Sequence, residues 1–228
     1  MQTFAYGQAT DMGEALAEGV APDTMFLAGG TELLNWLRLG IARPTRIIDL
    51  TALKELGKIT PLPHGGLRIR ALARLNDVAL NDIVVRDYPV LSQAILKSAS
   101  AQLRNLATVG GNPIQKTRCG YFRAEEILPC NKRNPGSGCS ALNGINDRHA
   151  IFGWSEACVA TQPSDPATAL AALDAVFVTA HKEGQRRIQA ADLHTLPGTI
   201  PHIENTLRQG ELIVAILNFL MLPLARRT

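Results

Sequence analysis

The chain has 228 residues, 46% hydrophobic and 19% charged, enough for one large domain or two small ones with real cores. Its net charge of +3 comes from 23 basic and 20 acidic residues dispersed along the chain, with no polybasic run and only 5% aromatics, which excludes a nucleic-acid-binding footprint. The opening MQTFAYGQATDMGEAL has no basic or apolar signal region, and the apolar run Leu212 to Leu224 is broken by Asn218 and Pro223 and falls short of the roughly 20 residues that span a bilayer; neither an export signal nor membrane insertion is expected, which by itself points to the cytoplasm.

The spacing of Met12, Ala15 and Leu16 predicts a short helix over Thr10 to Gly19, followed by a buried strand, Thr24 to Leu27. AGGTELLNWLRLG (Ala28 to Gly40) then reads as a Gly-Gly turn and a helix stopped by Gly40. Glycines let the backbone approach a ligand closely, and successive free N–H groups form a nest for an anion such as a diphosphate. There is no GxGxxG dinucleotide fingerprint, and a Gly-Gly turn alone often only turns the chain. RIIDL (Arg46 to Leu50) is a second buried strand, Thr51 to Lys58 a short helix, and GLRIRAL (Gly66 to Leu72) a half-exposed strand. Helices are predicted at Leu75 to Asn81 and Pro89 to Ser98, and Ser100 to Asn112 runs as a helical segment into a second Gly-Gly turn, with Thr108 placed as Thr31 is in the first. Two such turns suit two lips around one long anionic ligand.

Between Gln115 and Ala160 the texture changes. Cys119, Cys130, Cys139 and Cys158, separated by ten, eight and eighteen residues, are the only cysteines of the chain and lie among prolines and glycines. Two disulfides, a structural zinc site and an iron-sulfur cluster are all open at this point. The missing export signal weighs against the first, the missing close C-x2-4-C pair against the second, and irregular glycine-rich loops suit the third. Lys116, Arg118, Arg123, Lys132, Arg133 and Arg148 either offset thiolate charge or form a solvated face, and His149 reads as structural. Beyond Cys158, Asp165 to Leu173 reads as a helix in which Asp165 either caps or accepts a hydrogen bond from a sugar-like hydroxyl. Ala175 to His181 and Arg186 to Ala190 pair as a hairpin, with Arg186 and Arg187 read as a solvated face. Leu193 to Glu204 is loop-like and GELIVAI (Gly210 to Ile216) a last buried strand. Strands mixed with helices give an α+β or α/β chain.

AGGTELL, RNLATVGGN, PSDPATALAALDA and LRQGELIVAI resemble the FAD-binding medium subunit of the molybdenum hydroxylases, the xanthine dehydrogenase and aldehyde oxidoreductase family, from about Thr3 to Ile216. TRCGYFR, PCNKRNPGSGCSA, HAIFG and SEACVATQPSD resemble the subset with an extra 4Fe-4S cluster, closest to the bacterial periplasmic aldehyde oxidoreductases. The resemblance implies an α+β fold of the vanillyl-alcohol oxidase and molybdenum hydroxylase medium-subunit type. It implies FAD-binding subdomains at 1–56 and 57–216, a cluster insertion at about 116–160, and a short tail, 217–228, where the family has a C-terminal domain of roughly a hundred residues.

By the same resemblance, Leu27, Ala28, Gly29, Gly30, Thr31, Glu32 and Leu33 wrap the FAD diphosphate. Thr108, Gly111, Asn112 and Ile114 form the opposite wall, Asp165 bonds ribityl or adjacent hydroxyls, and Ile213 packs near the isoalloxazine. Cys119, Cys130, Cys139 and Cys158 ligate the cluster. The implied protein is the electron-transfer flavoprotein subunit of an enzyme that oxidises its substrate elsewhere, on a molybdenum-cofactor large subunit, with a 2Fe-2S small subunit as the second partner. Such complexes reach the periplasm on a partner's twin-arginine signal, so both compartments stand. The alternatives are a zinc-stabilised assembly module without flavin and a truncated, inactive product.

Overall fold

The computed structural model describes residues 2–63 and 65–217; of the expected tail, 217–228, only Leu217 lies within them, as the last residue of a strand. Two sheets organise the chain. The first is parallel, with β3 (Arg46–Asp49) between β1 (Ala5–Gln8) and β2 (Thr24–Leu27). Successive side chains of a strand face opposite ways, and β3 uses both faces. Ile47 packs with Leu33, Trp36 and Leu37 of helix α2 (Leu33–Arg38), while Ile48 joins Ala15 of helix α1 (Met12–Gly19) and Ala180, Leu212 and Val214 of the second sheet. A strand buried on both sides carries consecutive apolar residues, as β3 carries Ile47 and Ile48 here.

The second sheet is antiparallel, in the order β4 (Ile59–Pro61), β5 (Leu67–Arg70), β8 (Leu212–Leu217), β6 (Val176–His181), β7 (Gly184–Gln189). One face meets helices α3 (Leu75–Ala79), α4 (Asp82–Asp87), α5 (Pro89–Lys97) and α8 (Asp165–Ala172) in a core that includes Leu67, Ile69, Phe177, Ile213, Leu91, Ile95 and Leu170. The mixture is the α+β class that the resemblance implies, where the residue pattern left α+β and α/β open. Among the described residues no helix is long and apolar enough to cross a membrane.

Local chemistry explains the helix starts. Asp11 accepts from the Glu14 N–H at 2.9 Å while Glu14 reaches back to the Thr10 N–H at 2.7 Å, a reciprocal cap. Pro89 occupies the first turn of α5, where its missing N–H costs nothing. One expected helix is absent, and three elements carry no sequence signal. Thr51 to Lys58 is not a helix: Asp49 takes the Thr51 N–H at 2.7 Å, turning the chain, and only a 3-10 turn at Lys54–Gly57 follows. The edge strands β1 and β4 have no apolar alternation because most of their side chains are exposed. Helix α4 carries one buried residue, Val84, too little for a periodic signal.

The turn before β8 joins the two sheets. Gly210 has φ +74°, and a Cβ there would lie 2.8 Å from the Gly19 carbonyl group. Gln209 donates to the carbonyls of Gly19 at 3.1 Å and Thr24 at 3.0 Å. Next to it, buried Glu211 accepts from both guanidinium arms of Arg186, at 2.6 and 2.7 Å, from the Thr179 hydroxyl and from the Arg208 N–H at 2.9 Å. Arg186, itself part-exposed, is therefore the partner of a buried carboxylate rather than part of a solvated face. Burial works against the Glu211 carboxylate, but these donors outweigh it and hold its pKa at about 2 instead of 4.5. With the folded value below the unfolded one, this stabilisation is complete above about pH 4.5 and disappears as pH falls toward 2. Urea unfolding from about pH 6 to about pH 2 is expected to lose on the order of 2–3 kcal/mol through this group. Glu211→Gln starts less stable and shows a correspondingly shallower acid limb.

Candidate functional site

The two glycine turns meet. Beyond β2 the chain crosses residues 28–32 before α2 begins, with Gly30 at φ +73°. A Cβ on Gly29 would sit 1.9 Å from the Leu106 carbonyl oxygen, so the first loop lies directly against the second, backbone to backbone. The second loop is held by short-range ladder bonds: Leu75 N–H to the Ala107 carbonyl, Val109 N–H to the Ala73 carbonyl and Gly110 N–H to the Ala71 carbonyl, each 2.9 Å. Thr108 is buried at its centre and Gly111 exposed at its tip. In the first loop, none of the backbone N–H groups of residues 28–32 finds an acceptor among the described residues. A run of unpaired donors on a glycine loop is a cradle for an anion.

Asn112 links this wall to α8. The Ser164 hydroxyl donates to Asn112 Oδ1 at 2.6 Å and accepts the Ala167 N–H at 3.0 Å. Ser164 is thus the cap of α8, and Asp165 is not; exposed in the first turn, Asp165 has no side-chain hydrogen bond among the described residues and stays available to a hydroxyl. Leu33 and Ile213 are buried, in separate clusters, and Ile114 packs against the larger one. The expected flavin residues other than Ile213 therefore form a connected surface of Leu27–Leu33, Thr108–Ile114 and the start of α8, with Ile213 in the core behind it.

All four cysteines line one pocket, partly open to solvent, together with Tyr121, Phe122 and Lys132. All are free thiols, Cys130 and Cys158 buried and Cys119 and Cys139 partly so. Burial pushes the Cys130 and Cys158 thiols above their ordinary value, only partly opposed by backbone N–H groups from Arg133 and Lys132 on Cys130 and from Ala160 on Cys158. Among the described residues no three His, Cys, Asp or Glu side chains are grouped to hold a metal ion.

The basic residues around the cysteines mostly serve neither of their expected roles. Arg118 and Arg123 (2.9 Å) hold Glu32 in the first glycine loop. Arg133 donates to the Leu39 carbonyl at 2.7 Å, and Lys116 and Lys132 (3.0 Å) clasp Glu204. Burial acts against the Glu204 carboxylate, yet the two lysines keep its pKa below the usual carboxylate range. Only Lys132 also favours a cysteine thiolate, at Cys158, and Arg148 is solvated. His149, read as structural, places Nε2 3.2 Å from Cys119 Sγ. The partners Glu32 and Glu204 carry no sequence signal for these roles, since each is over 70 residues from the cation it binds.

A family model described as "FAD binding domain in molybdopterin dehydrogenase" matches residues 2–217. The aldehyde oxidoreductase FAD-binding subunit PaoB of Escherichia coli K12 is 50% identical over 218 residues, 95% of this chain and 68% of PaoB. The glyceraldehyde dehydrogenase medium chain of Sulfolobus acidocaldarius is 38% identical over 110 residues, 47% of this chain and 38% of its own. Among solved structures, quinoline 2-oxidoreductase from Pseudomonas putida 86 shares the fold at a TM-score of 0.66 and 21% identity. That match covers 95% of this chain and 59% of the other, so the chain spans well under two thirds of its structural neighbour.

The close approach at Gly29 is testable. Gly29→Ala is expected to destabilise the fold by about 3 kcal/mol or more, because backbone and not a flexible side chain must give way. Gly57→Ala, where a Cβ meets nothing within 4 Å, should leave the thermal midpoint almost unmoved.

Proposed function

The chain belongs to the family of FAD-binding domains of molybdopterin dehydrogenases, and from that premise we propose that it is the FAD-binding electron-transfer subunit of a molybdenum-dependent aldehyde oxidoreductase. The observation that carries this reading is the interlock at Gly29: two glycine loops meet, and the first presents a row of N–H donors without protein acceptors. In this reading 1–56 and 57–216 are the two FAD-binding subdomains. The N–H groups of residues 28–32 bind the diphosphate, Thr108, Gly111, Asn112 and Ile114 form the facing wall, Asp165 accepts from cofactor hydroxyls, and Ile213 shields the ring from water behind them. Ser164 fixes the Asn112 amide for this role.

In the same reading the four cysteines of the pocket would ligate a 4Fe-4S cluster. Four unpaired thiols stand on the pocket walls. Iron binding would deprotonate thiols that burial otherwise keeps protonated. Backbone N–H groups such as that of Ala160, 3.4 Å from Cys158 Sγ, lower the charge on the sulfur. When bound, FAD would exchange two-electron for one-electron transfer and the cluster would add a one-electron centre beside it. The substrate would be oxidised on a molybdenum-cofactor large subunit, with a 2Fe-2S small subunit delivering electrons to this chain. PaoB, the relative with 50% identity, is by name an aldehyde oxidoreductase subunit, which supports the substrate class.

Anaerobic purification followed by a visible spectrum and iron, zinc and flavin assays tests the reading. Flavin bands with iron are expected; zinc without flavin would show an assembly module instead. Cys139→Ser is expected to abolish iron binding while leaving flavin in place, and unchanged iron would refute the four-cysteine assignment.

A further inference from the structure

Glu32 is out of place in an anion cradle. It lies two residues after Gly30, and a free carboxylate there both accepts the N–H donors and repels a diphosphate. Its two oxygens are instead fully engaged. Oε2 accepts from its own helix, through the Trp36 indole N–H at 2.8 Å, and from Arg123 at 2.9 Å; Oε1 accepts from Arg118. The two arginines are themselves fixed. Arg123, with 18% of its side chain exposed, also donates to the carbonyls of Lys116 and Thr117, at 2.9 and 2.7 Å, and Arg118 donates to Gln115 Oε1 at 2.6 Å.

Both arginines come from the cysteine segment, where they bracket Cys119 and the short helix α7 (Gly120–Arg123). We infer that Arg118 and Arg123 are positioning residues for the cofactor diphosphate, acting through Glu32: they draw its carboxylate away from the donor nest and leave one positive charge in excess beside it. The segment that carries Cys119 is then a condition for flavin binding, independent of whether iron is bound. This rests on the FAD reading above.

A plain staple between two loops would give the same geometry, and substitution separates the two. Apoprotein of the full chain is titrated with FAD, following quenching of flavin fluorescence. Arg118→Ala with Arg123→Ala is expected to weaken FAD about tenfold or more, since it leaves the Glu32 charge uncompensated. High salt should narrow that gap by screening. Adding Glu32→Gln to the same protein should restore affinity to near that of the parent, and Glu32→Gln alone should bind FAD at least as tightly as the parent. A staple predicts the reverse: Glu32→Gln alone weakens binding, and the triple variant stays weak. Either result overturns the inference. Should the alanine pair fail to fold, Arg118→Gln with Arg123→Lys, which removes one charge and keeps the other, is expected to fall between parent and loss, and its equality with the parent overturns the inference as well. A parent chain that takes up no FAD would defeat the underlying functional reading, a separate outcome from arginine variants that bind FAD unimpaired.

Discussion

The contact on which the rest depends is the meeting of two backbones at Gly29 and Leu106. A side chain at position 29 would hold the loops apart, and the surface running from β2 through residues 107–114 to the start of α8 would come open. Everything else in the fold serves to deliver these loops to that point. The parallel sheet aims β2 at the first loop, the ladder bonds at residues 71–75 fix the second, and Ser164 ties the second loop to α8.

The cysteine segment is attached to this surface by charge rather than by apolar burial. Its cations reach out in two directions, Arg118 and Arg123 to Glu32 and Lys116 and Lys132 to Glu204, while Arg133 caps the carbonyl of Leu39 at the end of α2. Irregular backbone with few buried apolar residues has little else to hold it, and each of these anions is largely shielded from water, where ion pairs are stronger than on an open surface. Lys132 links the ion pairs to the thiols, pairing with Glu204 while lining the cysteine pocket beside Asn131, Ser140 and Tyr121.

Strands and helices with strong periodicity were legible from the residues: β3, β5, β6, β8, α1, α5 and α8 fall where apolar spacing and caps place them. The edge strands β1 and β4 and helix α4 were not, because a mostly exposed element has no apolar face to read. At the site, the glycine turns and the cysteine grouping announced themselves through composition. The Glu32 clamp did not, since its members are separated by 86 and 91 residues and a Glu in a polar loop has no pattern of its own. Asp165 shows a subtler limit: a helix beginning SDP offers two capping side chains, and only the fold reveals that Ser164 takes the task.

Strand β8 sits at the centre of the second sheet yet, among the described residues, follows every other strand in the sequence. As the chain leaves the ribosome, β5 and β6 emerge with open hydrogen-bonding edges and wait for residues 212–217 before either can be covered. A chain interrupted between β7 and β8 carries two part-sheets with open edges, and such edges are the sites where nascent chains adhere to one another.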